Sequence, residues 1–144
     1  MEKRYDFLVI GTGLGGISFA LKVAAHGKVA LVTKTSLEET NTRYAQGGIA
    51  AVVSEPDSYE KHVQDTLIAG DGLCDEDIVR LVVKEAPGQI EELISWGTRF
   101  DKEKDGSYSL GREGGHSEYR ILHHKDNTGA EIQRAVSGKV RAHP

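Results

Sequence analysis

The chain has 144 residues, 38% of them apolar and 28% charged, with a net charge of -4. That suffices for one domain with a real core and is too little for two. The mild negative charge, with Lys and Arg scattered along the chain, argues against a nucleic-acid partner or an anionic membrane surface. Cys74 is the only cysteine, which rules out an intrachain disulfide and leaves a zinc site without a partner, so no metal is expected. The apolar run Phe7 to Ile10 is far too short for a signal-peptide core or a membrane span, so a cytoplasmic location is expected.

Phe7-Leu8-Val9-Ile10, closed by glycine, suits a strand buried on both faces of a parallel sheet. From Leu14 the period becomes helical. Ile17, Leu21 and Ala24 share a face, and Gly27 reads as the stop. Val29 to Val32 is a second buried-type strand, which completes a right-handed βαβ unit. Thr33 to Ser54 lacks periodicity, apart from a short strand expected within Ile49 to Val53. Asp57 and Glu60 have the spacing of a capping box for a helix to about Ala69, ended by Gly70. Asp75 caps the next helix, with Ile78, Val79, Leu81, Val82 and Val83 as its apolar face. Pro87 is expected to break or restart that helix. A following helix buries Ile90, Leu93, Ile94 and Trp96 and stops at Gly97. Asp105-Gly106 marks a turn, read as a hairpin. Leu110 to His124 is dense in Gly, Arg and His, and Thr128 to Val140 reads as a last helix. Tyr59 and Trp96 read as packing residues, His123 and His124 as structural or surface residues. A dinucleotide-binding sheet needs a third parallel strand, and nothing after Val32 supplies a clean one. The expectation is an N-terminal piece of a longer polypeptide.

Gly11, Gly13 and Gly16, within Gly11-Thr12-Gly13-Leu14-Gly15-Gly16, fit the G-x-G-x-x-G fingerprint between a strand and a helix. The first glycine permits the tight turn, the second lets backbone approach a pyrophosphate, and the third lets helix and strand pack closely. The helix N-terminus offers N–H groups and partial positive charge to the phosphates. The alternative is a glycine-rich βα turn without a ligand. An Asp or Glu that would hold the adenosine ribose is missing after the second strand, where Thr33-Lys34-Thr35 stands. Glu38 and Glu39 come too late for that task and read as solvated loop charges. The fingerprint therefore leaves NAD and FAD both open.

Asn41-Thr42-Arg43-Tyr44-Ala45-Gln46-Gly47-Gly48 resembles the flavin-contacting loop of the succinate dehydrogenase/fumarate reductase flavoprotein family. In that family the acid after the second strand is commonly replaced by a Ser/Thr-Lys pair, as in Thr33-Lys34. Further collinear matches are 62–70, 112–117, 120–123 and 126–132, so the resemblance covers essentially the whole chain. It implies an α/β fold, the N-terminal part of a glutathione-reductase-type, Rossmann-like FAD-binding domain with a parallel sheet. This domain would be discontinuous, with its capping and C-terminal helical domains outside residues 1–144. FAD is the implied cofactor. Asn41 stands where succinate dehydrogenases carry the histidine that bonds FAD covalently, so the flavin is expected to be non-covalent.

Glu113 stands where dicarboxylate-only members carry an apolar residue. The resemblance therefore points to the branch that oxidises L-aspartate, whose ammonium a carboxylate can attract. Such a carboxylate also disfavours a substrate without the amine, because it would be left unpaired. The implied reaction is hydride loss to the flavin, giving iminoaspartate, with oxygen (yielding hydrogen peroxide) or fumarate as final acceptor. It opens NAD biosynthesis, with quinolinate synthase as the implied downstream partner. Glu113 is the candidate for orienting substrate, against a structural salt bridge with Arg112 or Arg120. His116 is a candidate for the same pocket, against a satisfied structural histidine. Lys34 is a candidate FAD contact, against a solvated strand-end lysine. Arginines and histidines that clamp the carboxylates in the family lie outside these residues, so the isolated chain is expected to be inactive. The rival readings are a fumarate reductase or succinate dehydrogenase flavoprotein, and a non-catalytic flavin-binding fragment.

Overall fold

A computed structural model describes residues 3–144. The elements follow the order β1 (Phe7–Ile10), α1 (Leu14–Val23), β2 (Val29–Val32), α2 (Asn41–Tyr44), β3 (Ile49–Ala50), α3 (Tyr59–Ala69), α4 (Glu76–Ser95), β4 (Leu110–Gly111), β5 (Ile121–Leu122) and α5 (Thr128–Arg141). β1 and β2 pair in parallel, Phe7 opposite Val29 through Ile10 opposite Val32, as the βαβ reading requires. A second, antiparallel sheet has the order β3-β5-β4. Its strands β4 and β5, two residues each, were not expected from the sequence, because segments so short show no period.

Two apolar clusters make the core. Ile17 of α1, Leu93 of α4 and Ile132 and Val136 of α5 form one. Ala51, Ile90, Phe100 and Leu122 form the other, between α4 and the antiparallel sheet. Helix α4 thus joins both halves through one face.

That shared face explains why Pro87 does not break the helix. α4 is a single helix of 20 residues with Pro87 inside it, where the sequence suggested a break or restart. Val83, Ile90 and Leu93 stay buried on one side, and burial across the proline offsets the lost hydrogen bond. The expected apolar face of the first half is corrected too. Val83 alone of that set is buried, while Ile78, Leu81 and Val82 are more than half exposed.

Other corrections are local. Helix α3 is capped by Ser58, whose hydroxyl accepts the Lys61 N–H. Asp57 is buried and engaged elsewhere, so the capping box does not form. Asp75 does cap α4, accepting the Ile78 N–H at 3.2 Å. Trp96 packs against the first cluster, but Tyr59 is exposed. α1 ends four residues before Gly27, at Val23. β1 is not buried on both faces: Val9 faces α1, whereas Leu8 and Ile10 on the opposite face are 65% and 81% exposed. Val32, beside Ile10, shares that open side.

α5 locks against the loop that carries α2. The Gly129 N–H donates to the Ala45 carbonyl at 3.1 Å, and a Cβ at Gly129 would collide with the carbonyls of Thr42 and Ala45. Gly138, in the same helix, faces open space. Two substitutions in one helix should therefore act with opposite sign. Gly129→Ala should lower stability by at least about 1–3 kcal/mol, because backbone cannot yield as a side chain would. Gly138→Ala should raise it by about 0.5–1 kcal/mol through helix propensity. Urea unfolding of the full-length protein measures both.

Candidate functional site

The turn between β1 and α1 has the geometry its glycines suggest. Gly11 adopts φ 106°, and a Cβ at Gly16 would strike the Gly11 carbonyl. Gly13 occupies the N-cap of α1 and supplies no side-chain cap. The cap comes from the flavin-loop motif instead: Thr42 Oγ1 accepts the Leu14 N–H at 3.0 Å. The two motifs read separately from the sequence are one hydrogen-bonded unit.

They share a cleft of about 650 Å³ lined by Ile10 to Gly13, Val32 to Lys34, Glu39 to Thr42, and Tyr44. Thr33-Lys34, Asn41, Thr42 and Tyr44 thus join the glycine turn in lining one cleft. Leu14, Gly15 and Gly16 form the first turn of α1 behind it. Arg43 does not line the cleft; it borders a separate hollow with Arg134 and Arg141. Glu39 is more than a solvated charge: it lines the cleft and accepts the Tyr44 hydroxyl at 2.7 Å. That hydrogen bond, reinforced by the carboxylate charge, raises the Tyr44 phenol above its ordinary value. Glu38 pairs with Arg141.

The cleft fits a dinucleotide on an observation of its own. Thr12 is 3% exposed and its hydroxyl has no hydrogen-bond partner among the described residues. A buried hydroxyl at the helix N-terminus, left unpaired, costs free energy unless a ligand satisfies it. The Thr12 carbonyl is fixed from behind by Gln133 of α5, whose Nε2 donates to it at 3.1 Å. The two hydrogens of that amide are shared with two further acceptors, the Leu37 carbonyl at 3.2 Å and Ser137 Oγ at 3.0 Å, and its oxygen accepts the Thr40 hydroxyl at 2.8 Å. No sequence signal singled out Gln133; a polar residue on the inward side of an amphipathic helix was the only clue.

The flavin loop continues past the cleft. Gln46 and Gly47 are exposed, the Ala45 carbonyl accepts the Gly129 N–H in the first turn of α5, and Gly48 packs tightly on β5. Glu113 reaches this loop: its Oε1 lies 3.8 Å from where a Gly47 Cβ would stand. No ion pair holds Glu113 among the described residues. Arg112 lies over the Tyr119 ring, 5.5 Å from its centroid, and Arg120 is engaged elsewhere. The salt bridges weighed against a site role for Glu113 are therefore not formed.

Arg120 is wholly buried. Its Nε and Nη2 grip Asp57 at 2.8 and 2.7 Å, and Nη1 reaches Asp65 at 2.5 Å. Asp65 also accepts the Ser117 N–H at 2.7 Å and the Ser117 hydroxyl at 2.8 Å. The loop bearing Glu113 and His116 is thereby tied to α3. Burial pushes the Asp57 and Asp65 carboxyls up. For Asp57, the bonds from Arg120 and the Ser58 N–H more than offset this; for Asp65, those from Ser117 and Arg120 do. Both end below the ordinary carboxylate value. His62, with ring centroid 5.9 Å from that of His116, is held below its ordinary value by burial and by the Arg120 charge. Cys74 is half-buried, its Sγ 3.7 Å from the Thr66 carbonyl. His123 and His124 flank Asp101 at 3.3 and 3.5 Å, away from the cleft, as structural residues.

A βαβ unit with a glycine cradle, an unpaired threonine hydroxyl and an adjoining loop defines a dinucleotide-binding domain. The chain belongs to the FAD binding domain family, whose model matches residues 6–144, and FAD is its cofactor. It is 53% identical over 142 residues to L-aspartate oxidase 2-a, chloroplastic, of Nicotiana tabacum, covering 99% of this chain and 22% of that protein. It is 50% identical over 148 residues to L-aspartate oxidase of Vibrio cholerae serotype O1, covering 99% of this chain and 28% of that one. Among solved structures, the Sdh1 complex of Mycobacterium smegmatis in the apo form superposes with TM-score 0.88 at 36% identity, covering 94% of this chain and 24% of that one. A quinol-fumarate reductase with menaquinol molecules gives TM-score 0.87 at 32% identity, covering 95% and 24%. The chain thus spans less than a third of the length of the curated relatives described here. No helix among the described residues is long and apolar enough to cross a membrane.

The buried ion triad sets a pH test. Asp57 and Asp65 have depressed values when folded, so their stabilisation is complete above the unfolded carboxylate range and is lost as pH falls through the lowered values. Asp57→Asn should cost about 3–5 kcal/mol at pH 7, the range for removing one partner of a buried pair. The gap to wild type should narrow below about pH 4. Urea melts across pH 2.5–8 check both statements.

Proposed function

We propose that the protein carrying this chain oxidises L-aspartate to iminoaspartate with non-covalent FAD, and that Glu113 orients the substrate ammonium. The observation that carries this reading is Glu113 itself, a carboxylate without an ion partner among the described residues, beside Gly47 of the flavin loop. An unpaired carboxylate at that place attracts a cationic substrate group and is left unsatisfied by a plain dicarboxylate. The L-aspartate oxidase relatives support it. FAD, when bound, supplies the two-electron acceptor for a hydride leaving the substrate. The chain's own residues bind and orient: Gly11 to Gly16 and Thr12 hold the pyrophosphate, Lys34 the adenosine side, and Asn41 to Gly48 the flavin.

Oxygen or fumarate as final acceptor, a quinolinate synthase consuming the product, and a cytoplasmic setting belong to the same reading, although the tobacco relative is named as chloroplastic. So does the domain organisation, with residues 1–144 as the N-terminal part of a discontinuous FAD-binding domain.

Assay of the full-length protein on L-aspartate against succinate tests the reading; oxidation of succinate with L-aspartate ignored would sink it. Glu113→Gln should lower kcat/KM for L-aspartate about 10- to 100-fold, the worth of one charge-assisted contact, while FAD affinity stays unchanged. Asn41 has no ring nitrogen to alkylate, so acid precipitation of the holoenzyme should leave all flavin absorbance in the supernatant.

A further inference from the structure

His116 lies three residues beyond Glu113, and its N–H donates to the Glu113 carbonyl at 3.2 Å, closing a turn. Its ring packs near that of His62, centroids 5.9 Å apart, and among the described residues its one hydrogen-bond contact is with Arg120, whose Nη1 stands 3.1 Å from Nδ1. A guanidinium nitrogen carries hydrogens and cannot accept. Nη1 has two hydrogens, and the Asp65 carboxylate takes one of them. The other meets Nδ1, which must therefore present its lone pair. The ring proton then resides on Nε2. That atom has no protein partner among the described residues, and the ring is half-buried.

The arrangement is an immobilised donor with nothing to donate to, on the same short loop as the carboxylate facing Gly47. We propose that Arg120 fixes His116 as an Nε2–H donor and that this N–H binds a carboxylate of the substrate. Arg120 is a positioning residue here, acting through His116. The ligand class rests on the function proposed above; the tautomer does not. Together Glu113 and His116 present one acceptor and one donor, the complement of an amino acid's ammonium and carboxylate. His116 would serve any dicarboxylate, and Glu113 only one that carries the amine.

That division gives the test. Nitrogen-15 side-chain spectra of histidine-labelled full-length holoenzyme, with His116 assigned by comparison with His116→Gln, read the tautomer directly; Nε2 should be protonated and Nδ1 bare. Binding of succinate and of L-aspartate is followed by the flavin absorbance change. His116→Ala should weaken both ligands about 10- to 100-fold. His116→Gln, whose amide N–H reaches toward the Nε2 position, should recover most of the loss, and His116→Asn should not. Glu113→Gln should weaken L-aspartate alone. If Glu113→Gln leaves L-aspartate binding intact while His116→Ala weakens both ligands, the ammonium reading fails and this one stands. A proton on Nδ1, or succinate binding by His116→Ala at wild-type strength, overturns the proposal.

Discussion

The structure turns on one buried amide. Gln133 is 1% exposed, and its side chain ties together the Thr12 carbonyl, the Leu37 carbonyl, and the hydroxyls of Thr40 and Ser137. A fully satisfied polar network in a low-dielectric interior is rigid, and breaking one member strands the rest. Through it the last helix of the chain fixes the first turn. Thr42 then caps α1, and Gly129 seats the loop carrying Thr42 on α5. The cradle is set by residues more than a hundred positions away in sequence.

A second network does for the Glu113 loop what Gln133 does for the glycine turn. Arg120 joins Asp57 and Asp65, and Asp65 holds Ser117. A buried ion triad of this kind contributes little net stability compared with apolar packing. Its effect is geometric: guanidinium and carboxylate have directional valences, and they fix where the loop runs. The two networks meet at the flavin loop, one from the α5 side and one from the α3 side.

What could be read from the sequence was local. Phe7 to Ile10, the glycine turn, Val29 to Val32 and the Asp75 cap carry their signals within a few residues, and each element forms, but burial of the strands on both faces, which depends on distant neighbours, does not. Pro87 misled because its local penalty is outweighed by Val83, Ile90 and Leu93 burying one face on both sides of it. Asp57 misled because a capping spacing and a buried ion partner look alike until Arg120, 63 positions later, is placed beside it. Ile78, Leu81 and Val82 showed an apolar face with no means of showing whether anything covers it. At the site, the glycine turn was legible because a tight turn and close backbone approach demand glycine, whereas Asn41 to Gly48 was legible through a family resemblance. The motifs around Arg120 and Gly129 were legible only as resemblance. Their roles lie in long-range contacts that spacing does not encode.

The open side of the β1–β2 ribbon bears on the cofactor. Ile10 and Val32 are exposed on that side, and both also line the dinucleotide cleft. Covering the ribbon and filling the cleft therefore draw on overlapping apolar area. Two events that dehydrate the same side chains are thermodynamically linked, and each changes the free energy of the other by an equal amount. For this chain, covering the open side of the ribbon and filling the cleft are coupled equilibria that share Ile10 and Val32.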